Sequence, residues 1–241
     1  AFRSAPHRIE GQMRNTPNAL MIFAAGFGTR MGALTAHQPK PMVKVAGKPL
    51  IDHTLALAAP LGLKTVVNLH YLPHILEQHL ADSGVTTLTE APDILETGGG
   101  LRNAQTHLGS GPAFTLNSDA LWRGPNPLSA LQAAWDSDKM DALLLLIPRE
   151  NALGHKGMGD FILSKTGQIT RGAGLVYSGA QIIKPELTEE INERAFSLNL
   201  VWDKLLASGR LFGLPYSGQW CDVGSPEGIT RAERMLNDTP V

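Results

Sequence analysis

The 241-residue chain has a single cysteine, Cys221, and so no internal disulfide to staple it. It needs none, because a globular chain of this length removes roughly 70–75% of its unfolded surface from water on folding. A lone thiol also points to a reducing, cytoplasmic compartment. The chain lacks an excess of either charge: Lys plus Arg is 21, Asp plus Glu is 22, and the net charge is −1. That balance gives no reason to expect nucleic acid or an anionic membrane as partner, so any positive charge serving a phosphate is local. Long apolar runs are missing as well. The longest aliphatic stretch, Ala142 to Ile147, is far short of the ~20 residues of a membrane-spanning helix. Arg3, Arg8 and Arg14 are not followed by the apolar core of a secretory signal, and residues 1–18 read as a flexible extension before one domain over 19–241. There is no internal repeat and no low-complexity segment. At 43% apolar and 18% charged residues, the composition is that of a soluble globular domain and excludes intrinsic disorder.

What is present is alternation. Leu20 to Ala25 reads as a short buried strand that runs into the glycine-rich Gly26-Phe-Gly-Thr-Arg30. A helix is expected over Pro49–Leu61, a strand over Thr65–Asn68, a helix over Ile75–Leu80 and a strand over Val85–Thr89. Helix Gly100–Leu108, strand Ala113–Leu116, helix Leu128–Trp135 and the wholly apolar strand Ala142–Ile147 follow. This is the pattern of βαβ units and an α/β fold with a mostly parallel sheet. After Pro148 the pattern becomes α+β: a hairpin around Lys165-Thr-Gly167, a strand over Leu175–Ile183, a helix over Leu198–Ala207, a strand over Leu211–Pro215 and a last helix opened by Ser225-Pro226-Glu227.

Glycines directly after a buried strand occupy the edge where open α/β sheets bind ligands, and they let backbone N–H groups approach phosphate. The dinucleotide pattern fails, since Met31 stands where its third glycine belongs, and no Gly-Lys-Ser/Thr of a Walker loop exists. Alone, the loop is equally a tight turn. Arg30 and Lys40 sharpen it, because prolines on both sides of Lys40 hold its backbone extended and lower the entropy cost of a fixed charge. Together these features suit a nucleotide triphosphate. The three glycines Gly98 to Gly100 stand where a helix begins and cost roughly 1 kcal/mol each if helical. Close approach to a nucleobase would account for them, and so would a hinge loop. Asp119 ends one strand and Asp222 lies far downstream; Mg²⁺ in phosphoryl chemistry is commonly held by one or two carboxylates plus substrate phosphates. Asp160, in a glycine-rich turn, could accept from sugar hydroxyls. His70, His74 and His79 do not make a metal face, and Ser118 lacks the setting of a hydrolase nucleophile.

Ala24-Ala-Gly-Phe-Gly-Thr-Arg-Met31, Pro39-Lys-Pro41 and Val45-Ala-Gly-Lys-Pro-Leu50 resemble the sugar-1-phosphate nucleotidyltransferases. Leu95-Glu-Thr-Gly-Gly-Gly100, Asn117-Ser-Asp119, Gly159-Asp-Phe161, Tyr177-Ser-Gly179 and Trp220-Cys-Asp-Val-Gly224 continue the resemblance in order. The glycine block and the short length are most similar to the branch acting on N-acetylmuramic acid 1-phosphate, in peptidoglycan recycling. The resemblance implies a Rossmann-like, GT-A-like fold with a mixed, mostly parallel sheet flanked by helices and a small antiparallel hairpin for the sugar. It implies nucleotide contacts from Ala25, Gly26, Gly28, Thr29, Arg30, Lys40, Asn68, Thr97, Gly98 and Gly99, and sugar contacts from Asn117, Asp160, Ser178, Gly179 and Trp220. Arg30, Lys40, Asp119 and Asp222 would be catalytic, with Asp119 and Asp222 holding Mg²⁺. UTP and a sugar 1-phosphate would be the substrates. Two departures stand out: Gly32-Ala33 replaces the family's usual proline, and Asn-Ser-Asp replaces Asn-Gly-Asp. A different nucleotide and sugar pair (mannose 1-phosphate with GTP, or glucose 1-phosphate with UTP or dTTP) and a catalytically idle nucleotide-sugar sensor remain open at this point.

Overall fold

A computed structural model of the chain describes residues 15–238. Most of the extension expected over 1–18 lies outside the described residues; within it, the Asn18 carbonyl accepts from the Lys64 N–H at 3.0 Å, and the Asn15 carbonyl from Trp135 Nε1 at 2.9 Å.

Apart from a two-residue hairpin that pairs Lys44–Val45 with Lys48–Pro49, the strands in chain order are β1 (Ala19–Phe23), β2 (Lys64–Leu69), β3 (Thr86–Thr89), β4 (Ala113–Asn117), β5 (Ala120–Arg123), β6 (Ala142–Ile147), β7 (Ala152–Leu153), β8 (Phe161–Leu163), β9 (Ile169–Arg171), β10 (Val176–Ile183), β11 (Leu211–Pro215) and β12 (Gln219–Asp222). The helices are α1 (Leu50–Ala58), α2 (Pro73–Leu80), α3 (Glu96–Leu108), α4 (Pro127–Ala134), α5 (Asn199–Ala207) and α6 (Pro226–Asn237). A seven-stranded sheet has the order β11-β6-β10-β4-β1-β2-β3. All its strands share one direction except β10, which runs against both β4 and β6. The mixed, mostly parallel sheet is as expected.

Alternation along β1 divides the core. Leu20 and Ile22 face one layer, with Ile51 of α1, Leu76 of α2 and Leu128 of α4. Ala19 and Met21 face the other, with Leu101 of α3 and Val201 and Leu205 of α5. Helices thus cover both faces, as a buried parallel sheet demands. A smaller core of Met31, Val43, Leu50, Leu121, Cys221, Val223 and Ala232 lies beneath α6. It belongs to a three-stranded sheet, β5-β12-β7. None of these three strands was expected from the sequence, because they are short and β5 follows β4 after only Ser118 and Asp119. Among the described residues no helix is long and apolar enough to cross a membrane.

Candidate active site

Register brings the first site residues together. Phe23 of β1 pairs with Asn68 of β2 on one side and Asn117 of β4 on the other, so the three lie abreast at the carboxyl edge of the sheet. The Asn68 side chain holds this edge while also lining the cavity beyond it. Its Oδ1 accepts from the Ala24 N–H and its Nδ2 donates to Glu90 Oε1, both at 2.8 Å, while Glu90 Oε2 accepts from the Leu95 N–H at 2.7 Å. Glu90 is buried, and its full set of partners satisfies the cost of placing a carboxylate there. Asn68 therefore fixes where the glycine loop starts.

Beyond that edge lies a cavity of about 220 Å³ whose lining includes Ala25, Gly26, Lys40, Thr97, Asn117 and Asp119. The N–H groups of Gly26, Phe27 and Gly28 find no partner among the described residues. Gly28 has φ +65°, and a Cβ there would stand 2.8 Å from Lys40 Cβ. Only glycine lets the loop fold over the lysine stem. Lys40 is buried to its ammonium, and Nζ donates to Asp119 Oδ2 at 2.8 Å. Thr29 and Arg30 follow in a short 3₁₀ segment broken at Gly32 (φ 58°), a conformation a proline could not adopt.

The two aspartates meet through the small sheet. Asp222 pairs with Ala120 in the β5–β12 register, and the Val223 N–H donates to the Asp119 carbonyl at 2.9 Å. A Cβ on Gly224 would lie 2.9 Å from Asp222 Oδ2 and 3.0 Å from Arg30 Nη2, so carboxylate and guanidinium converge over that glycine. Burial, and then the charge of Asp119, hold the Asp222 carboxyl above the usual carboxylate range, against the pull of Lys40, Arg30 and His155. The four residues expected to be catalytic thus form one charged cluster. Ser118 between Asn117 and Asp119 is no obstacle: its Oγ donates to the Phe23 carbonyl at 2.8 Å and adds a tie between β4 and β1.

A second cavity, about 270 Å³, shares Phe23, Thr97 and Asn117 with the first and is otherwise walled by the hairpin, by β10 and by α5 with the two residues before it, with Asp160, Arg171, Tyr177 and Trp202 among its lining. Asp160 Oδ2 accepts from the Tyr177 N–H at 2.8 Å. The register of β10 breaks between Tyr177 and Gln181, and Gly179 there passes against Asn117, whose side chain a Cβ would meet at 2.7 Å.

Several residues expected to meet a ligand have partners within the protein. The helix starts at Glu96, so Gly98 to Gly100 lie inside α3 rather than ahead of it. Their glycine character is explained by packing: a Cβ at Gly98 would stand 2.3 Å from the Phe196 ring, at Gly99 2.6 Å from the Arg194 carbonyl, and at Gly100 2.9 Å from Glu90 Oε1. The N–H groups of Gly98 and Gly99 both donate to the Phe196 carbonyl, at 2.8 and 3.1 Å. They are therefore not offered to a base; Thr97 alone of the three lines the cavities. Ser178 is buried and donates to the Leu145 carbonyl at 2.7 Å. Trp220 packs in the core, paired across strands with Trp122, and its Nε1 has no partner among the described residues. Neither lines either of these two cavities. Glu90, Arg171, Trp202 and Phe196 were missed in the sequence, and only Arg171, at the end of the expected hairpin, carried a signal that could have found it.

Residues 20–164 match the family model described as "MobA-like NTP transferase domain". The chain is 39% identical to the N-acetylmuramate alpha-1-phosphate uridylyltransferase of Caulobacter vibrioides over 93% of this chain and 99% of that one. It is 33% identical to the protein of the same name in Neisseria meningitidis, over 89% and 96%. HddC from Yersinia pseudotuberculosis, solved in complex with GMP-PN, has the same fold, with a TM-score of 0.73 at 20% identity over 91% of this chain and 100% of that one.

Proposed function

The chain belongs to the MobA-like NTP transferase family, and from that premise we propose that it transfers a uridylyl group from UTP to N-acetylmuramic acid 1-phosphate in the cytoplasm. One observation carries the reading: two cavities share Phe23, Thr97 and Asn117, and a cluster of two cations and two carboxylates stands beside the first. Two anionic substrates need adjoining pockets and local positive charge at their junction. The relatives of near-equal length, both named as uridylyltransferases of this sugar, favour the substrate pair.

An oxygen of the sugar phosphate attacks the α-phosphorus of UTP; the new P–O bond forms as the bond to the β-phosphate oxygen breaks, and pyrophosphate leaves. No protein base is required, since a phosphate monoester is anionic near neutral pH. The chain's residues bind and orient. The N–H groups of Gly26 to Gly28 and the cations Arg30 and Lys40 face the triphosphate. Asn117 and Asp160 hold the sugar. The donor set fits Mg²⁺, which favours carboxylate oxygens. Asp119 and Asp222 would hold the ion, and the unfavourable proximity of their charges is relieved by a cation. When bound, it would neutralise charge on the phosphates.

Pyrophosphate release with Mg²⁺, measured for UTP, GTP, CTP and dTTP against the 1-phosphates of N-acetylmuramic acid, N-acetylglucosamine, glucose and mannose, tests the proposal. A dominant signal for UTP with N-acetylmuramic acid 1-phosphate is expected. A dominant signal for another pair would overturn the substrate reading, and silence with nucleotide bound would favour a sensor.

A further inference from the structure

The second cavity carries a charge that a neutral sugar does not need. Among its lining residues, Asp160 and Arg171 are the charged ones. Asp160 uses Oδ2 to accept from the Tyr177 N–H, which leaves Oδ1 for a sugar hydroxyl. Arg171 is the register partner of Phe161 across the β8–β9 hairpin, and its guanidinium carbon stands 5.3 Å over the centroid of that ring. From its edge, Nε and Nη2 donate to Asp203 Oδ1 of α5 at 3.2 and 2.7 Å. Nη1 has no partner among the described residues. An exposed Arg–Asp pair adds little stability; here it orients a planar donor that is stacked on one side and tied along one edge before any ligand arrives. The adjoining wall is aromatic. Trp202 stands edge-on to Phe161 and Tyr177 at 6.1 and 4.8 Å, and its Nε1 is fixed by Gln181 at 3.0 Å.

The phosphate of the sugar has other partners. Lys40 and Asp119 line the first cavity and not the second, and Arg171 lines the second and not the first. The arginine thus belongs to the second cavity and not to the one that holds Lys40 and Asp119. We infer that Arg171 determines specificity by reading a carboxylate on the sugar ring, and so selects sugar 1-phosphates with an acidic ether substituent, such as the 3-O-lactyl group of N-acetylmuramic acid, over neutral ones. The inference rests on the substrate reading given above. Asp160 precedes Phe161 and Arg171 is the register partner of Phe161, so one hairpin presents an acceptor for a hydroxyl and a donor for a carboxylate to the same cavity.

The test is the ratio of kcat/KM for N-acetylmuramic acid 1-phosphate to that for N-acetylglucosamine 1-phosphate, which does not depend on the fraction of enzyme folded. Arg171→Gln lowers that ratio by roughly 10- to 100-fold, the loss of a charge-assisted hydrogen bond. Arg171→Lys recovers part of it. Methyl esterification of the lactyl carboxylate costs the wild-type enzyme a similar factor and costs Arg171→Gln little. If Arg171→Gln lowers both substrates equally, or neither, the inference is overturned while the substrate reading stands. A wild-type enzyme that favours N-acetylglucosamine 1-phosphate overturns the substrate reading itself, and the inference with it.

Discussion

Gly98→Ala separates packing from ligand contact in the glycine run. The added methyl would stand 2.3 and 2.4 Å from two carbons of the Phe196 ring and 2.9 Å from its carbonyl. The ring cannot swing freely, since Phe196 is buried and the Arg102 guanidinium lies 4.8 Å over it. Overpacking of this kind costs about 1–3 kcal/mol. If the segment moves away, the bonds from the Gly98 and Gly99 N–H groups to the Phe196 carbonyl lengthen, at about 0.5–1.5 kcal/mol each. Alanine returns at most ~1 kcal/mol in helix propensity. The balance is a loss of about 2 kcal/mol, or roughly 4–8 °C in melting temperature for a chain of this size. Thermal unfolding followed by far-ultraviolet circular dichroism measures it, and the same substitution in a Phe196→Leu background should cost less than half as much. Meanwhile KM for the nucleotide should stay within about twofold, because the glycine N–H groups are engaged within the protein. A variant that melts no lower than wild type but binds nucleotide several-fold more weakly would refute the packing account and restore these glycines to the base.

Asp222→Asn should abolish Mg²⁺-dependent turnover yet raise the melting temperature at pH 7 in metal-free buffer. Burial and Asp119 hold the Asp222 carboxyl above its ordinary range, so its ionised form costs stability, a cost that disappears as pH falls through the raised value; a lower melting temperature would contradict this. Trp220→Phe removes a buried N–H that has no partner among the described residues and should leave KM for the sugar 1-phosphate within about twofold; a tenfold rise would return Trp220 to the sugar site. Burial pushes the Cys221 thiol up to about 11, so it stays protonated at pH 8, and a disulfide reagent should label it only after unfolding. Rapid labelling of native protein would count against its place in the core beneath α6.

The sequence by itself determined the sheet and its helices, because wholly apolar runs such as Ala142–Ile147 and amphipathic stretches with a first-turn proline such as Pro226–Asn237 are local signals, although the expected cap Ser225 makes no side-chain hydrogen bond to that helix. It also marked the members of the charged cluster, since Arg30, Lys40, Asp119 and Asp222 lie beside glycines, prolines or strand ends that stand out along the chain. Tertiary structure alone decided what each group meets. The pairing of Lys40 with Asp119 spans 79 positions, and the approach of Asp222 to Asp119 depends on β5 and β12, strands too short to declare themselves. The glycine run looked like a site for a flat ligand because a missing side chain does not say what occupies its space. In the fold that space belongs to Phe196, the Arg194 carbonyl and Glu90, which come from distant parts of the chain. Backbone conformation and burial leave a periodic trace in sequence, whereas a contact between residues far apart depends on register and on the close packing of three layers.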